Sequence, residues 1–355
     1  MKLKSLIFTA LLGLSTTLSA VAEQASLRSV YYSIDAEKWT QVINKLDKIL
    51  KDDDQYADAW YLYVDALFRN GDYIKAIQAN RKLTTFKGYD QYAEFYSAMI
   101  YGIQGQNDKA QKHLDAANKA GYINYDKLKT EAAFAGIRKQ GKIDFAPEQN
   151  YQVLTAHNGV KIPYTVLLPN HFDQSKTYKA LLAYPDGSGG KASADWSIKH
   201  LWKNHEQYKD WIVIVPVAPK DGWINHPSHH ALNDLMKHMR KEYKVKDNLF
   251  HALGYRSGSR PAVTFSRMSQ SYFTSVTTVG AYMWENWKQK DLTRFGDMPV
   301  TMYVAKTDEA GLEINRQANQ YLNKGNTPVS YTEVDGDTPR LESLYDSKLL
   351  AMMGQ

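Results

Sequence analysis

The sequence predicts an α/β protein preceded by an all-helical unit. Three observations carry this. From about Asp35 to Lys139 apolar residues recur at helical spacing, with almost no Pro and with Gly confined to turns. From Tyr151 the pattern changes to short, continuous apolar runs alternating with helical stretches, the signature of buried parallel strands. Between the two, the polar stretch Gly141–Asn150 with Pro147 suits neither, and it marks the boundary. At 355 residues the chain is long for one domain, and its 43% hydrophobic and 12% aromatic content can fill a core. The expected layout is 1–22 as a targeting segment, 23–145 as a helical repeat domain and 146–355 as the α/β domain.

The first segment holds Lys2 and Lys4, an apolar run from Leu6 to Leu14, and then Ala20-Val21-Ala22. This reads as a secretory signal peptide cut after Ala22, which makes the mature protein periplasmic or secreted. No later stretch reaches the ~20 apolar residues a membrane helix needs, so no membrane span is expected. There is no cysteine, which removes disulfides, thiolate nucleophiles and Cys-ligated metals. The formal charge of +6 falls to +4 without the two lysines of the leader, too mild to argue for a nucleic-acid partner.

The helical unit repeats itself. Setting Ala76 over Ala110, an offset of 34 residues, also places Gly71 over Gly105 and Leu67 over Tyr101, and extending it backward puts Trp39 under Tyr73 and Ile43 under Ile77. Thirty-four is the tetratricopeptide period, and over roughly 100 residues the segment resembles that family, with about three helix pairs. Alanines and aromatics alternate as helix crossings require, small residues at the close approach and large ones in the adjacent groove. An ordinary helical bundle is the alternative. Nothing catalytic appears here, and the resemblance implies a surface for a protein or peptide partner, or a brace for the domain that follows.

In the second unit, Tyr151–Thr155 and Tyr164–Leu168 flank Asn158-Gly159, a strong hairpin signal. Parallel strands are then expected at Ala180–Tyr184, Trp211–Val217, Leu249–Gly254, Val276–Gly280, Val300–Ala305 and Val329–Val334, with helices at Ala231–Tyr243, Ala262–Met268, Leu312–Leu322 and Leu341–Met352. A hairpin entering such a series is the α/β hydrolase layout. The stretches Tyr164-Thr-Val-Leu-Leu-Pro169 and Tyr178-Lys-Ala-Leu-Leu-Ala-Tyr-Pro-Asp-Gly-Ser-Gly-Gly190 resemble the front of secreted esterases of the feruloyl esterase and polyhydroxybutyrate depolymerase type. That resemblance implies an oxyanion loop at Asp186, Gly187, Ser188 and Gly189, with a second backbone donor at Ser257, and puts Asp186 where the family usually carries His.

The nucleophile elbow of such enzymes reads Gly-x-Ser-x-Gly, because a nucleophile on a sharp strand-to-helix turn needs residues without bulk two places before and after it. Here the sequence is Gly254-Tyr255-Arg256-Ser257-Gly258-Ser259. Both glycines are in register, and the apex is Arg256, whose guanidinium cannot attack an acyl carbon. Ser257 is the alternative nucleophile, although Tyr255 then stands where the turn selects glycine. Asp308, after strand Val300–Ala305, matches the family's acid. The position of the family's histidine carries Asp337, with Asp335 close by, and no histidine follows His251. Ser/His/Asp has thus become Arg256, Asp337 and Asp308, which is either a cation set between two carboxylates or independent drift at a solvated surface.

His226, His229 and His230 form a local cluster, but Pro227 interrupts helical spacing and no carboxylate follows the cluster at ligand distance before Asp234, so no metal or other cofactor is expected. Trp223, Trp284 and Trp287, at loop positions, are candidates to line a cleft for an aromatic, small-molecule or polymeric ligand. The resulting expectation is an exported pseudo-hydrolase that binds a ligand or partner without turnover. Two alternatives stay open: an active serine esterase, depolymerase or peptidase with a rearranged site, and a structural adaptor acting through the repeats.

Overall fold

The computed structural model describes residues 27–349 except 28, 31, 35, 220–222, 224–225, 282–294, 336–340, 343 and 346–348. The expectations for residues 1–22, Trp284, Trp287 and Asp337 lie outside the described residues, as does most of the helix expected at Leu341–Met352. The chain divides into two compact units, Met1–Leu114 and Asp115–Gln355.

The first unit is helical: α1 (Trp39–Asp52), α2 (Ala57–Arg69), α3 (Tyr73–Leu83) and α4 (Asp90–Ile103), followed by α5 (Asn107–Lys119), inside which the division falls. Successive helices pack on one another. Leu46, Leu67, Ala76, Leu83, Ala93 and Ala98 are fully enclosed. α3 and α5 begin 34 residues apart, and Ala76 and Ala110, equivalent under that offset, are both without exposure. Small residues at these points let neighbouring helices approach closely. Asn80 joins α3 to α4 by donating its amide to the Ala93 carbonyl at 2.9 Å and to Ser97 Oγ at 2.9 Å.

The division between the units lies upstream of the composition break at 141–150, and residues 115–145, with α6 (Tyr125–Thr130) and α7 (Ala135–Lys139), cluster with the sheet. The reason is visible in their hydrogen bonds: Asp126 ties this stretch to the glycine-rich loop that follows the third strand, as described below.

The second unit is built on an eight-stranded sheet in the order β1-β2-β4-β3-β5-β6-β7-β8. Its strands are β1 (Gln152–Thr155), β2 (Lys161–Leu167), β3 (Tyr178–Tyr184), β4 (Trp211–Pro216), β5 (Val245–Tyr255), β6 (Phe273–Val279), β7 (Val300–Ala305) and β8 (Val329–Val334). β2 runs antiparallel to β1 and to β4, and every pairing from β4 onward is parallel. This order, with one antiparallel strand near the start and crossovers on both faces, is that of the α/β hydrolase fold. Side chains alternate between two buried layers: along β3, Ala180, Leu182 and Tyr184 enter one cluster while Leu181 and Ala183 enter the other. Burial on both faces is why these strands read as continuous apolar runs rather than alternating ones.

The main helices of this unit are α8 (Lys191–His200), α9 (His226–Glu242), α10 (Ser259–Met268) and α11 (Glu309–Lys324). α9 starts at His226, earlier than the expected Ala231. Pro227 sits in its first turn, where the missing N–H costs nothing, so it opens the helix and does not interrupt it.

Candidate functional site

The site lies at the carboxyl end of the central strands, where open parallel sheets place their ligands. β5 ends at Tyr255, a single 3-10 turn covers Arg256–Gly258, and α10 begins at Ser259. Arg256 has φ of 50°, in the left-handed region that costs a non-glycine residue about 1 kcal/mol or more. The glycines on either side are required by space. A Cβ on Gly254 would stand 2.2 Å from Ser259 Cα, and one on Gly258 would stand 2.4 Å from the carbonyl oxygens of Tyr184 and Pro185. The backbone therefore keeps the strained strand-to-helix turn of a nucleophile elbow, with an arginine at its apex.

Arg256 is buried, and its Nη1 lies 3.9 Å from Asp308 Oδ2, with side-chain exposures of 3% and 4%. Asp308 caps α11, its Oδ1 accepting from the Gly311 N–H at 2.9 Å. These two positions of the expected set thus meet as a buried ion pair. Asp335 stands apart: it is exposed and pairs with Lys306 at 2.9 Å. The guanidinium also lies against the backbone at Gly121, where an added Cβ would meet its nitrogen and carbon atoms at 2.7–2.9 Å.

Ser257 and Asp186 are joined directly. The Ser257 backbone N–H donates to Asp186 Oδ1 at 3.1 Å, and its hydroxyl lies 2.7 Å from the same oxygen and 2.9 Å from the Gly187 carbonyl. Asp186 is buried at 5% exposure, and its Oδ2 has no hydrogen-bond partner. The backbone donor expected for an oxyanion is thereby taken by a carboxylate of the chain itself. Tyr345 lies near this charge; burial first, and then the neighbouring Tyr255 and Asp186, raise its phenol well above the ordinary range.

The rest of the loop is held by Asp126, which the sequence reading missed. Its Oδ2 accepts from Ser188 Oγ at 2.8 Å, Gly190 N at 2.9 Å and Ser193 Oγ at 2.7 Å, and its Oδ1 from Ala192 N at 2.8 Å and Ser193 N at 3.3 Å. Gly190 is the N-cap of α8 and brings no side-chain acceptor of its own. An acceptor from elsewhere is then needed for the first-turn N–H groups, and that absence of a local cap is the one signal the sequence offers.

Trp223 does not line an open cleft. It is 5% exposed and packs edge-on against Tyr184 and Phe265, with its indole nitrogen over Gly189. Of the histidine cluster, His229 stacks on Phe265 and its Nε2 lies 2.6 Å from Ser269 Oγ, a packing role, while His230 meets His157 edge-on. Among the described residues no three His, Asp or Glu side chains come together as metal ligands.

The chain matches no known protein family and no curated protein. Solved structures with a similar course of the chain include a thermostable esterase (15% identity, 57% of this chain and 61% of that one, TM-score 0.48). Others are fungal esterases from Rhizomucor miehei (10%, 67% and 91%, 0.46) and the Porphyromonas gingivalis dipeptidyl peptidase 4 (12%, 62% and 38%, 0.40). The chain spans about three fifths of the length of that thermostable esterase. At such scores these likenesses add no weight to the fold, which stands on the strand order and pairing described above.

Proposed function

We propose that this protein is an exported, non-catalytic member of the α/β hydrolase fold, a pseudo-hydrolase that binds a small-molecule or polymer ligand at the old site and a protein or peptide partner through its helical unit. The observation that carries the reading is the Ser257 N–H held by the Asp186 carboxylate. A developing oxyanion would have to displace a fixed negative charge from the donor meant to stabilise it, which reverses the sign of the usual electrostatic assistance. Arg256 at the apex adds a second reason, since it offers neither nucleophile nor proton acceptor.

The helical unit is read as a short tetratricopeptide-like array on its 34-residue offset. Trp60, Tyr63, Lys75, Gln78 and Ala79 line a shallow surface depression in this unit. Export rests on the leader-like residues 1–22, and intact mass of periplasmic material should begin at Glu23; a chain starting at Met1 there would remove this part of the proposal.

One contact favours a second reading. The Ser257 hydroxyl, 2.7 Å from Asp186 Oδ1, has a carboxylate in place to take its proton, as a rearranged nucleophile would need. Reaction with a fluorophosphonate probe decides between the two. The pseudo-hydrolase reading expects no labelling and no turnover of short acyl esters, whereas labelling abolished by Ser257→Ala would overturn it.

A further inference from the structure

Residues 121–124 run without helix or strand, yet Gly121, Tyr122, Ile123 and Asn124 are all buried. Irregular segments usually stay at the surface, because enclosed backbone polar groups must find partners. This one is enclosed by the site. Gly121 lies against the Arg256 guanidinium, and the Asn124 side chain is 3.5 Å from where a Cβ on Gly187 would stand. Tyr125 stacks on Trp196 with ring centroids 5.4 Å apart and planes 17° from parallel. Asp126 then takes five donors from the Ser188–Ser193 loop. Asn124 fixes the end of the segment by accepting from the Lys127 N–H at 3.0 Å. Apex, oxyanion loop and following helix are thus each touched by six consecutive residues that precede the sheet in sequence.

We infer that Gly121–Asp126 is an intramolecular strap that narrows the mouth of the hydrolase site, where Ser257 is half-buried and Asp186 buried, so that a ligand reaches them fully only when the strap lifts. This deepens the function proposed above by naming what controls access, and it rests on that reading only in taking this mouth as the place of entry. Asp126 is the hook. Its carboxylate replaces the water that would otherwise solvate the loop N–H groups, and the charge-assisted bonds it accepts are the strongest contacts of the segment. Gly121 is the hinge-side contact: its φ of 97° and the guanidinium against it leave no room for a side chain.

The absence of cysteine gives a direct test, because any introduced thiol is the sole labelling site. In the full-length protein, Ser257→Cys should react with a small thiosulfonate reagent at least tenfold more slowly than Ser175→Cys on an exposed loop. Adding Asp126→Ala should raise the rate at position 257 at least fivefold and leave that at 175 unchanged. Ala252→Cys, in the fully enclosed part of β5, reports global opening. Equal rates at 257 with and without Asp126, while Ala252→Cys stays protected, would overturn the strap. Should Asp126→Ala unfold the unit, Ala252→Cys reacts as well, and amide exchange of the unaltered chain decides. The amides of Lys127, Gly190, Ala192 and Ser193 should then exchange together and faster than those of β5, and exchange only in step with β5 overturns the proposal. Thiol accessibility is indifferent to hydrolysis, so the fluorophosphonate result and the strap result fail independently.

Discussion

Arg256→Ala tests the buried pair at the elbow. The guanidinium and the Asp308 carboxylate are both out of water and 3.9 Å apart. At that separation and an effective dielectric near 20, their attraction is about 4 kcal/mol. Removing the cation takes that attraction away from a buried carboxylate and leaves its cap contact from Gly311, of about 1 kcal/mol, in place. Arg256→Ala should therefore destabilise the sheet unit by about 2–4 kcal/mol. Asp308→Asn keeps an acceptor for Gly311, and a cycle combining the two changes should show a coupling of about 1–3 kcal/mol. The backbone contribution separates by a third variant. Arg256→Gly makes the same truncation but tolerates φ of 50°, so it should be about 1 kcal/mol more stable than Arg256→Ala. Amide exchange of the β5 strand is the suitable assay, since it reports opening of this unit without assuming that both units melt together. A loss below about 1 kcal/mol with no measurable coupling would refute the ion pair as a stabilising contact, and the arginine would then be drift.

Further outcomes follow from the same geometry. Gly254→Ala and Gly258→Ala place a Cβ within 2.2–2.5 Å of backbone atoms, so each should cost at least about 3 kcal/mol by the same exchange measurement, and a loss under about 1 would mean the turn relaxes freely. Burial, with Lys179 and Lys246 adding to it, lowers His251 to about 4, and its Nδ1 lies 2.7 Å from Ser275 Oγ. The unfolded chain then binds a proton that the folded one refuses, so stability is full above about pH 6.5 and declines as pH falls toward 4, by up to roughly 3 kcal/mol. His251→Gln should flatten that decline, and an unchanged profile would exclude His251 as its source. Restoring the family residues by Arg256→Ser with Asp337→His should give no ester turnover on its own, because Asp186 still holds the Ser257 N–H. Adding Asp186→His should raise the rate by about 10²-fold or more, the worth of one oxyanion donor; equal rates for the double and triple variants would refute the blocked-donor argument.

How much of this was legible in the sequence depends on the range of each interaction. Strand Val300–Ala305 was readable to the residue, since a strand buried on both faces is a local apolar run with sharp polar ends, and the edge strand Val329–Val334 was readable from its alternation of half-buried and exposed residues. The elbow was readable because its steric demand is also local, two glycines around an apex. The meeting of Arg256 with Asp308 followed from the register of the elbow and of the seventh strand. Asp186 was located but its contact was not: the carboxylate accepts from the Ser257 N–H, and nothing in Asp186-Gly-Ser-Gly-Gly190 shows which way it turns. Asp126 was invisible, because its five donors lie more than sixty residues downstream and only the uncapped start of α8 hints that a distant acceptor exists. For Asp337 and the two later loop tryptophans the comparison lies outside the described residues.

The two glycines of the elbow are explained by packing. Gly254 and Gly258 are demanded by Ser259, Tyr184 and Pro185, none of which takes part in acyl transfer. The turn is therefore kept by packing alone, and the residue at its apex is free to change as long as it tolerates φ near 50° and finds a partner for whatever it buries. Arginine meets the second condition through Asp308, with its guanidinium packed against Gly121. The N–H of Ser257, the next residue, is a half-buried donor at the same turn, and the Asp186 carboxylate satisfies it. The carboxylates of Asp186, Asp308 and Asp126 thus act in one way: each answers a donor or a charge that the turn and its neighbouring loop present, Asp186 the Ser257 N–H, Asp308 the Arg256 guanidinium and Asp126 the first-turn N–H groups of α8.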